Sequence, residues 1–151
     1  YRDKNQPLLI TVDRLSDTKS NTATHDWDIL WHIDSEVEKQ TDKYIQFADA
    51  DIAWSNGETS IIAGQETPEW QGFIATGTKQ GMYRAVPCVD TKVKANKVRI
   101  VTVFAPNKEG DAQAKHLVSV KASTDLADAA ITLTFDDGSE WTLDEEKLSQ
   151  L

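Results

Sequence analysis

The sequence predicts an all-β protein, an antiparallel β-sandwich of about ten short strands. Runs rich in β-branched and aromatic residues recur along the chain. Turn-forming residues separate these runs at intervals of about 8–12 residues, a spacing typical of sandwiches and barrels. Two segments could be helical, 108–116 and 144–151, but neither has an apolar stripe wide enough for a helical core.

The clearest strand covers residues 25–33, where side chains alternate with a period of two. One face carries His25, Trp27, Ile29, Trp31 and Ile33, and the other carries Asp26, Asp28, Leu30 and His32. Residues 8–14 predict a strand just before it, and a polar loop at 16–24 joins the two. The aromatic face indicates a sheet with one buried side.

The remaining strand candidates share the same composition. They cover residues 43–48, 52–54, 59–63, 72–76, 82–89, 98–105, 116–122, 130–135 and 140–143. The strongest turn signal is Asp137-Gly138 between the last two, because both residues tolerate positive φ and so favour a tight hairpin. Without an internal repeat or a Pro-rich linker in the sequence, we expect one domain over residues 1–151.

Charge and hydropathy exclude two kinds of partner, nucleic acids and the membrane interior. The chain has 25 acidic and 16 basic residues, a net charge of −9, so it lacks the positive surface that nucleic acids require. No apolar run approaches the ~20 residues of a membrane helix, so no membrane span is expected. The sequence begins without Met or a signal peptide, and we expect either a removed leader or a piece of a larger protein.

Histidine and cysteine offer little catalytic chemistry. The single cysteine, Cys88, lies in an apolar run and is interpreted as a buried thiol. His25 and His32 are cleft candidates, but their spacing places them on opposite faces of one strand, where they cannot share a metal ion. Each of them also fits a local hydrogen bond on a sheet face, and we favour that interpretation. We expect no metal site and no cofactor.

The acidic pairs and the tryptophans each allow a functional and a structural interpretation. Asp26 and Asp28 have a spacing of about 7 Å that a glycosidase could use, but a solvated strand face gives the same pair. Trp54, Trp70 and Tyr83 lie next to turns or in loop-like sequence and are the candidates for glycan contact. Burial in the core is the alternative for each of these rings.

The order of these features resembles the C-terminal β-sandwich region of the heparinase II/III-like polysaccharide lyases. The resemblance lies in the apolar run with Asp-Arg at 8–15 and in His-x-Trp-x-x-x-Trp-His at 25–32. It continues in the strand ending in Pro at 98–106 and in the closing hairpin at 131–143. The resemblance implies a β-sandwich and a parent protein that cleaves uronic-acid glycans by β-elimination.

The same resemblance implies that the chemistry lies elsewhere. In these lyases a helical toroid and the early sandwich hold the catalytic and zinc-binding residues, around His-x-x-x-Asp and His-Asn-Thr motifs. Neither motif occurs in this sequence, so no catalytic or metal residue is carried over. Whether the chain is itself an enzyme stays open.

Three functions follow as expectations. The first is an accessory sandwich domain of a periplasmic or secreted polysaccharide lyase, which supports a toroid of the same polypeptide and walls part of the glycan cleft. It predicts a broad apolar patch on one sheet face. The second is a free-standing carbohydrate-binding sandwich, which predicts that Trp54, Trp70 and Tyr83 are exposed and roughly coplanar. The third is a structural sandwich with no aromatic platform.

Overall fold

A computed structural model describes residues 7–19, 22–79, 81–107 and 115–148. These residues form antiparallel strands and one short helix. The elements are β1 (Leu9–Ser16), β2 (His25–His32), β3 (Val37–Gln40), β4 (Tyr44–Phe47), β5 (Ala50–Trp54), β6 (Glu58–Ile62), β7 (Phe73–Ala75), β8 (Tyr83–Ala85), β9 (Cys88–Ala95), β10 (Lys97–Pro106), β11 (Leu117–Ala122), β12 (Ala130–Phe135), β13 (Glu140–Asp144) and α1 (Glu145–Leu148). The prediction of an all-β antiparallel fold is confirmed.

The central sheet has five strands in the order β1-β10-β5-β4-β3. Its long strand β10 is buried from Val98 to Val103 without alternation. A strand is buried on both faces when other layers cover both sides of its sheet. The central sheet is therefore the middle layer of the molecule.

One face of the central sheet packs against the C-terminal sheet, which has the order β11-β12-β13. The buried residues between the two sheets are Leu8, Ala53, Val101, Val103, Ala105, Leu117, Val120, Ile131, Leu133 and Phe135. Burying each large apolar side chain contributes about 1.5–3 kcal/mol. This layer is the larger of the two buried clusters.

The opposite face packs against a second three-stranded sheet, the β9 sheet, with the order β2-β9-β6. The buried residues here are Ile45, Phe47, Ile52, Trp54 and Val89. Trp31 packs on Phe104 across this layer, with ring centroids 4.9 Å apart. The apolar face predicted for 25–33 therefore faces inward, while Asp26, Asp28, Leu30 and His32 are exposed.

A corner at Asn96 joins the β9 sheet to the central sheet. β9 ends at Ala95 and β10 begins at Lys97, so the chain changes sheets across a single residue. The side-chain amide of Asn96 donates to the carbonyl of Ala23 at 2.6 Å, and its own carbonyl accepts from the Asp17 amide at 3.3 Å. These contacts hold the loop between β1 and β2 against the corner.

The observed elements differ from the sequence predictions at two points. The strand expected over 82–89 is two strands, because Pro87 interrupts the pairing between β8 and β9. β3 was not predicted, since Val-Glu-Lys-Gln is polar and all four residues are exposed at the sheet edge. The expected helical turn at 144–151 is observed as α1, while most of the segment 108–116 lies outside the described residues.

Candidate functional site

An exposed aromatic cluster lies on the hairpin of β7 and β8 and on the loop before it. The cluster consists of Trp70, Phe73 and Tyr83. The ring centroids are 4.9 Å apart for Trp70 and Tyr83, 5.1 Å for Trp70 and Phe73, and 5.2 Å for Phe73 and Tyr83. Each ring therefore contacts the other two within the range of stable aromatic pairs.

Strand register brings two of the rings together. Phe73 lies opposite Ala85, and Tyr83 lies opposite Ala75. Residues at this diagonal offset share one face of a hairpin and are close enough for aromatic side chains to touch. The hairpin therefore presents Phe73 and Tyr83 on the same face.

The third ring is placed by a pinched loop. The backbones of Gln65 and Gln71 exchange two hydrogen bonds, of 3.0 and 2.9 Å, and close the loop that carries Trp70. Gly72 follows with φ of 76°, and a Cβ atom there would lie 2.6 Å from the carbonyl oxygen of Ile62. Only glycine allows this approach without strain, so the loop is held tightly against the end of β6.

The cluster concentrates exposed apolar surface. Trp70 is 60% exposed, Tyr83 is 42% exposed, and the adjacent Met82 is 43% exposed. These are three of the six large hydrophobic residues that are exposed in the described chain; the others, Leu9, Leu30 and Val37, lie on separate strands. Contiguous exposed aromatic surface of this kind is typical of a binding site.

Two expectations about the aromatic platform are wrong. Trp54 is only 4% exposed, because it ends the interior strand β5 and points into the layer beneath the β9 sheet. It cannot share a surface with Trp70 and Tyr83. The Trp70 and Tyr83 rings are not coplanar either, since their planes meet at 76°. Phe73, which sequence reasoning did not select, takes the third place in the cluster.

The two histidines proposed for a cleft stay apart. They occupy the first and last residues of β2 and lie on opposite faces of it. The Nε2 atom of His25 lies 3.0 Å from a carboxylate oxygen of Asp17, and its ring packs on Trp27 with centroids 5.5 Å apart. His32 is exposed on the outer face of the β9 sheet. The structure does not bring them into one site.

Buried polar residues lie next to the cluster on the outer face of the β9 sheet. Cys88 is fully buried, as predicted, and Asp90 is 1% exposed with its Oδ2 atom 3.4 Å from the Lys92 ammonium. Burial, followed by the nearby Asp90 charge, raises the pKa of the Cys88 thiol. Hydrogen bonds from Gln71 and Gly72 lower this pKa in part. Because both residues follow Trp70 directly, these hydrogen bonds show that the loop bearing Trp70 lies over the Cys88 thiol.

A second polar cluster joins the central and C-terminal sheets. Asp51 is fully buried and accepts the backbone N–H of Leu117 at 2.8 Å, while Nδ1 of His116 lies 3.2 Å from both carboxylate oxygens. Burial raises the pKa of Asp51, and these hydrogen bonds lower it in part. Because the contacts tie the start of β11 to β5, we interpret the cluster as a structural clamp.

A third cluster surrounds a buried arginine. The Arg99 side chain has no exposed surface, and its Nη2 atom donates to Oε2 of Glu145 at 3.0 Å. The Nη1 and Nη2 atoms of Arg14 donate to the two oxygens of the same carboxylate at 2.6 and 2.7 Å. Hydrogen bonding from Arg14 lowers the pKa of Glu145, partial burial opposes this, and Arg99 adds to the lowering. The cluster fastens α1 to the central sheet.

The described residues were compared with the requirements of a metal site and of a membrane-spanning helix. Within those ranges, no group of three or more His, Cys, Asp or Glu residues is arranged to hold a metal ion. No described helix has the length and apolar character needed to cross a membrane.

Comparisons with known proteins give no relative. No protein-family model, curated protein or solved structure matches the chain. The resemblance to the heparinase II/III-like lyases therefore stays a prediction from the motifs quoted above.

Proposed function

We propose that this chain is a carbohydrate-binding β-domain whose ligand packs on Trp70, Phe73 and Tyr83. The observation that carries the proposal is the mutual contact of three aromatic rings in a part of the molecule where two of them stay exposed. A sugar ring presents a face of C–H groups that packs favourably on such rings. Tyrosine and tryptophan also offer a polar group at the rim.

The free energy of burying Trp70 supports a ligand-binding role for this exposed cluster. Burying a large apolar side chain is worth about 1.5–3 kcal/mol, and this free energy is not gained while Trp70 stays in water. The loop is nevertheless held in place by two backbone hydrogen bonds and by the close approach at Gly72. A rigid support for exposed rings lowers the entropy cost of binding.

The accessory-domain hypothesis is a second proposal. It assigns the chain to a periplasmic or secreted polysaccharide lyase, next to a toroid domain, and rests on the sequence resemblance alone. The broad apolar patch that it predicts would cover one sheet face. The exposed hydrophobic residues of the described chain instead gather on the β7–β8 hairpin and the loop before it, and otherwise lie singly. This distribution favours the binding module.

A glycan array tests the proposed function. The wild-type chain, Trp70→Ala and Leu9→Ala are applied to the same array of neutral and anionic glycans. Leu9 is a matched control, because it is 58% exposed and lies on β1 of the central sheet. We expect wild type and Leu9→Ala to bind the same glycans and Trp70→Ala to lose them. Failure of the wild-type chain to bind any glycan would refute the proposal.

A further inference from the structure

The three rings form a compact corner instead of a flat strip. Tyr83 stands nearly perpendicular to both neighbours, at 76° to Trp70 and 82° to Phe73, while Trp70 and Phe73 meet at 36°. An extended polysaccharide is best served by separated rings that lie in one plane, so that successive sugars each meet a ring. Rings in mutual contact offer a surface only roughly one or two sugar rings wide.

The charges beside the cluster do not favour an anionic glycan. Arg84, on β8, pairs with the carboxylate of Asp34. Lys92 faces Asp90, Asp28 and Glu69, and these negative charges raise its pKa. Trp70 itself follows Glu69, and Glu66 lies in the same loop. A sulfate or carboxylate needs cations that are free to bind it, preferably in the bidentate geometry of arginine.

Among the described residues, Lys79 is a further cation near this hairpin, in the turn between β7 and β8. It is a single lysine on a protein with a net charge of −9. One exposed lysine provides a weak and strongly screened attraction for a polyanion. The local charges therefore select against sulfated and uronic-acid chains.

We infer that the site takes a short neutral saccharide, one or two sugar units at a chain end or in a free disaccharide, and that it rejects extended anionic polysaccharides. The inference rests on the proposed function and adds the ligand class and the ligand length. The neutral ligand inferred for this site differs from the uronic-acid glycans that the sequence resemblance implies as substrates of a parent enzyme.

Titration calorimetry with two series of oligosaccharides tests the inference. The neutral series contains di-, tetra- and hexasaccharides of glucose, mannose, galactose and N-acetylglucosamine, and the anionic series contains heparin and alginate oligosaccharides of the same lengths. We expect a neutral series to bind with a Kd that changes by less than about threefold from di- to hexasaccharide. We expect the anionic series to bind at least about tenfold more weakly.

The contrary outcomes are distinct. A Kd that falls about tenfold or more from di- to hexasaccharide would overturn the short ligand, while carbohydrate binding itself would stand. Tighter binding of the anionic series, lost in Trp70→Ala, would overturn the neutral ligand and again leave carbohydrate binding intact. Absence of binding to every oligosaccharide, or binding that Trp70→Ala does not change, would overturn both the inference and the proposed function.

Discussion

The rings of Trp70 and Tyr83 meet edge to face with their centroids 4.9 Å apart, although strand β7 and the turn after it separate them in the sequence. The contact is possible because the β7–β8 hairpin returns Tyr83 to the loop that carries Trp70. Both rings keep a large part of their surface in solvent. The proposed function depends on this pair.

Substitutions of Tyr83 separate the contribution of its ring from that of its hydroxyl group. Tyr83→Phe keeps the edge-to-face contact, and we expect its Kd for a neutral disaccharide to stay within about threefold of wild type. Tyr83→Ala removes the ring, and we expect at least about tenfold weaker binding, since aromatic residues in interfaces commonly carry 1–2 kcal/mol or more. Calorimetric titration measures both. Equal losses in the two variants would assign the effect to the hydroxyl group.

Gly72→Ala tests the support of the Trp70 loop. We expect a loss of about 1–3 kcal/mol in the free energy of unfolding, from positive φ and from the clash with the Ile62 carbonyl. Gly138→Ala is the matched control, because Gly138 has φ of 79° but no neighbour within 4 Å of an added Cβ. Urea denaturation compares the two. A loss no larger in Gly72→Ala than in Gly138→Ala would show that the close approach is unimportant.

Cys88 reports on the same loop. The thiol is fully buried and hydrogen-bonded to Gln71 and Gly72, so we expect very slow reaction with a disulfide reagent at pH 8 and rapid reaction in guanidinium chloride. In Gly72→Ala the loop is displaced, and the native-state reaction should accelerate. Absorbance of the released thiolate follows the rate. Fast labelling of the wild-type chain would contradict the buried placement.

Glu145→Gln probes the charge next to the buried Arg99. We expect a loss of about 3 kcal/mol in unfolding free energy at pH 7, because a buried arginine loses its partner charge. The folded-state pKa of Glu145 is lowered, so its stabilisation is present above the ordinary glutamate pKa and disappears as pH falls through the folded value. The difference between wild type and variant should therefore shrink in acid.

Urea denaturation at pH 7 and at pH values below 4 measures this dependence. Glu38→Gln is the control, since Glu38 is an exposed residue of β3. It should unfold like wild type at both pH values. A difference between wild type and Glu145→Gln that is independent of pH would argue against the ionic interaction.

The sequence was informative where periodicity decides the structure. The alternation along 25–33 predicted which face of β2 is buried, and Asp137-Gly138 predicted the turn between β12 and β13, where Gly138 has positive φ. The all-β fold follows from such local signals. The lysine-containing half of β9 was missed, because Lys92 and Lys94 are exposed there and the residues between and after them, Val93 and Ala95, are only partly buried.

The layer arrangement and the site depend on contacts between distant residues. The chain passes from the β9 sheet to the central sheet at Asn96, where no glycine or proline marks a break between strands. The three-layer arrangement therefore could not be predicted from the sequence. Trp54 precedes a turn signal, yet its place at the end of the interior strand β5 makes it a core residue. Phe73 joins Tyr83 only through the register of the hairpin.

Protection of Trp70 from oxidation tests the central claim most directly. The protein is treated with N-bromosuccinimide, with and without a saturating concentration of a glycan that binds on the array, and oxidised tryptophans are located by mass spectrometry. Trp54 is buried and provides the internal reference. We predict that Trp70 oxidises first in the free protein and that the glycan slows its oxidation at least about fivefold by covering the ring. Oxidation of Trp70 at the same rate in the saturated complex would contradict the account.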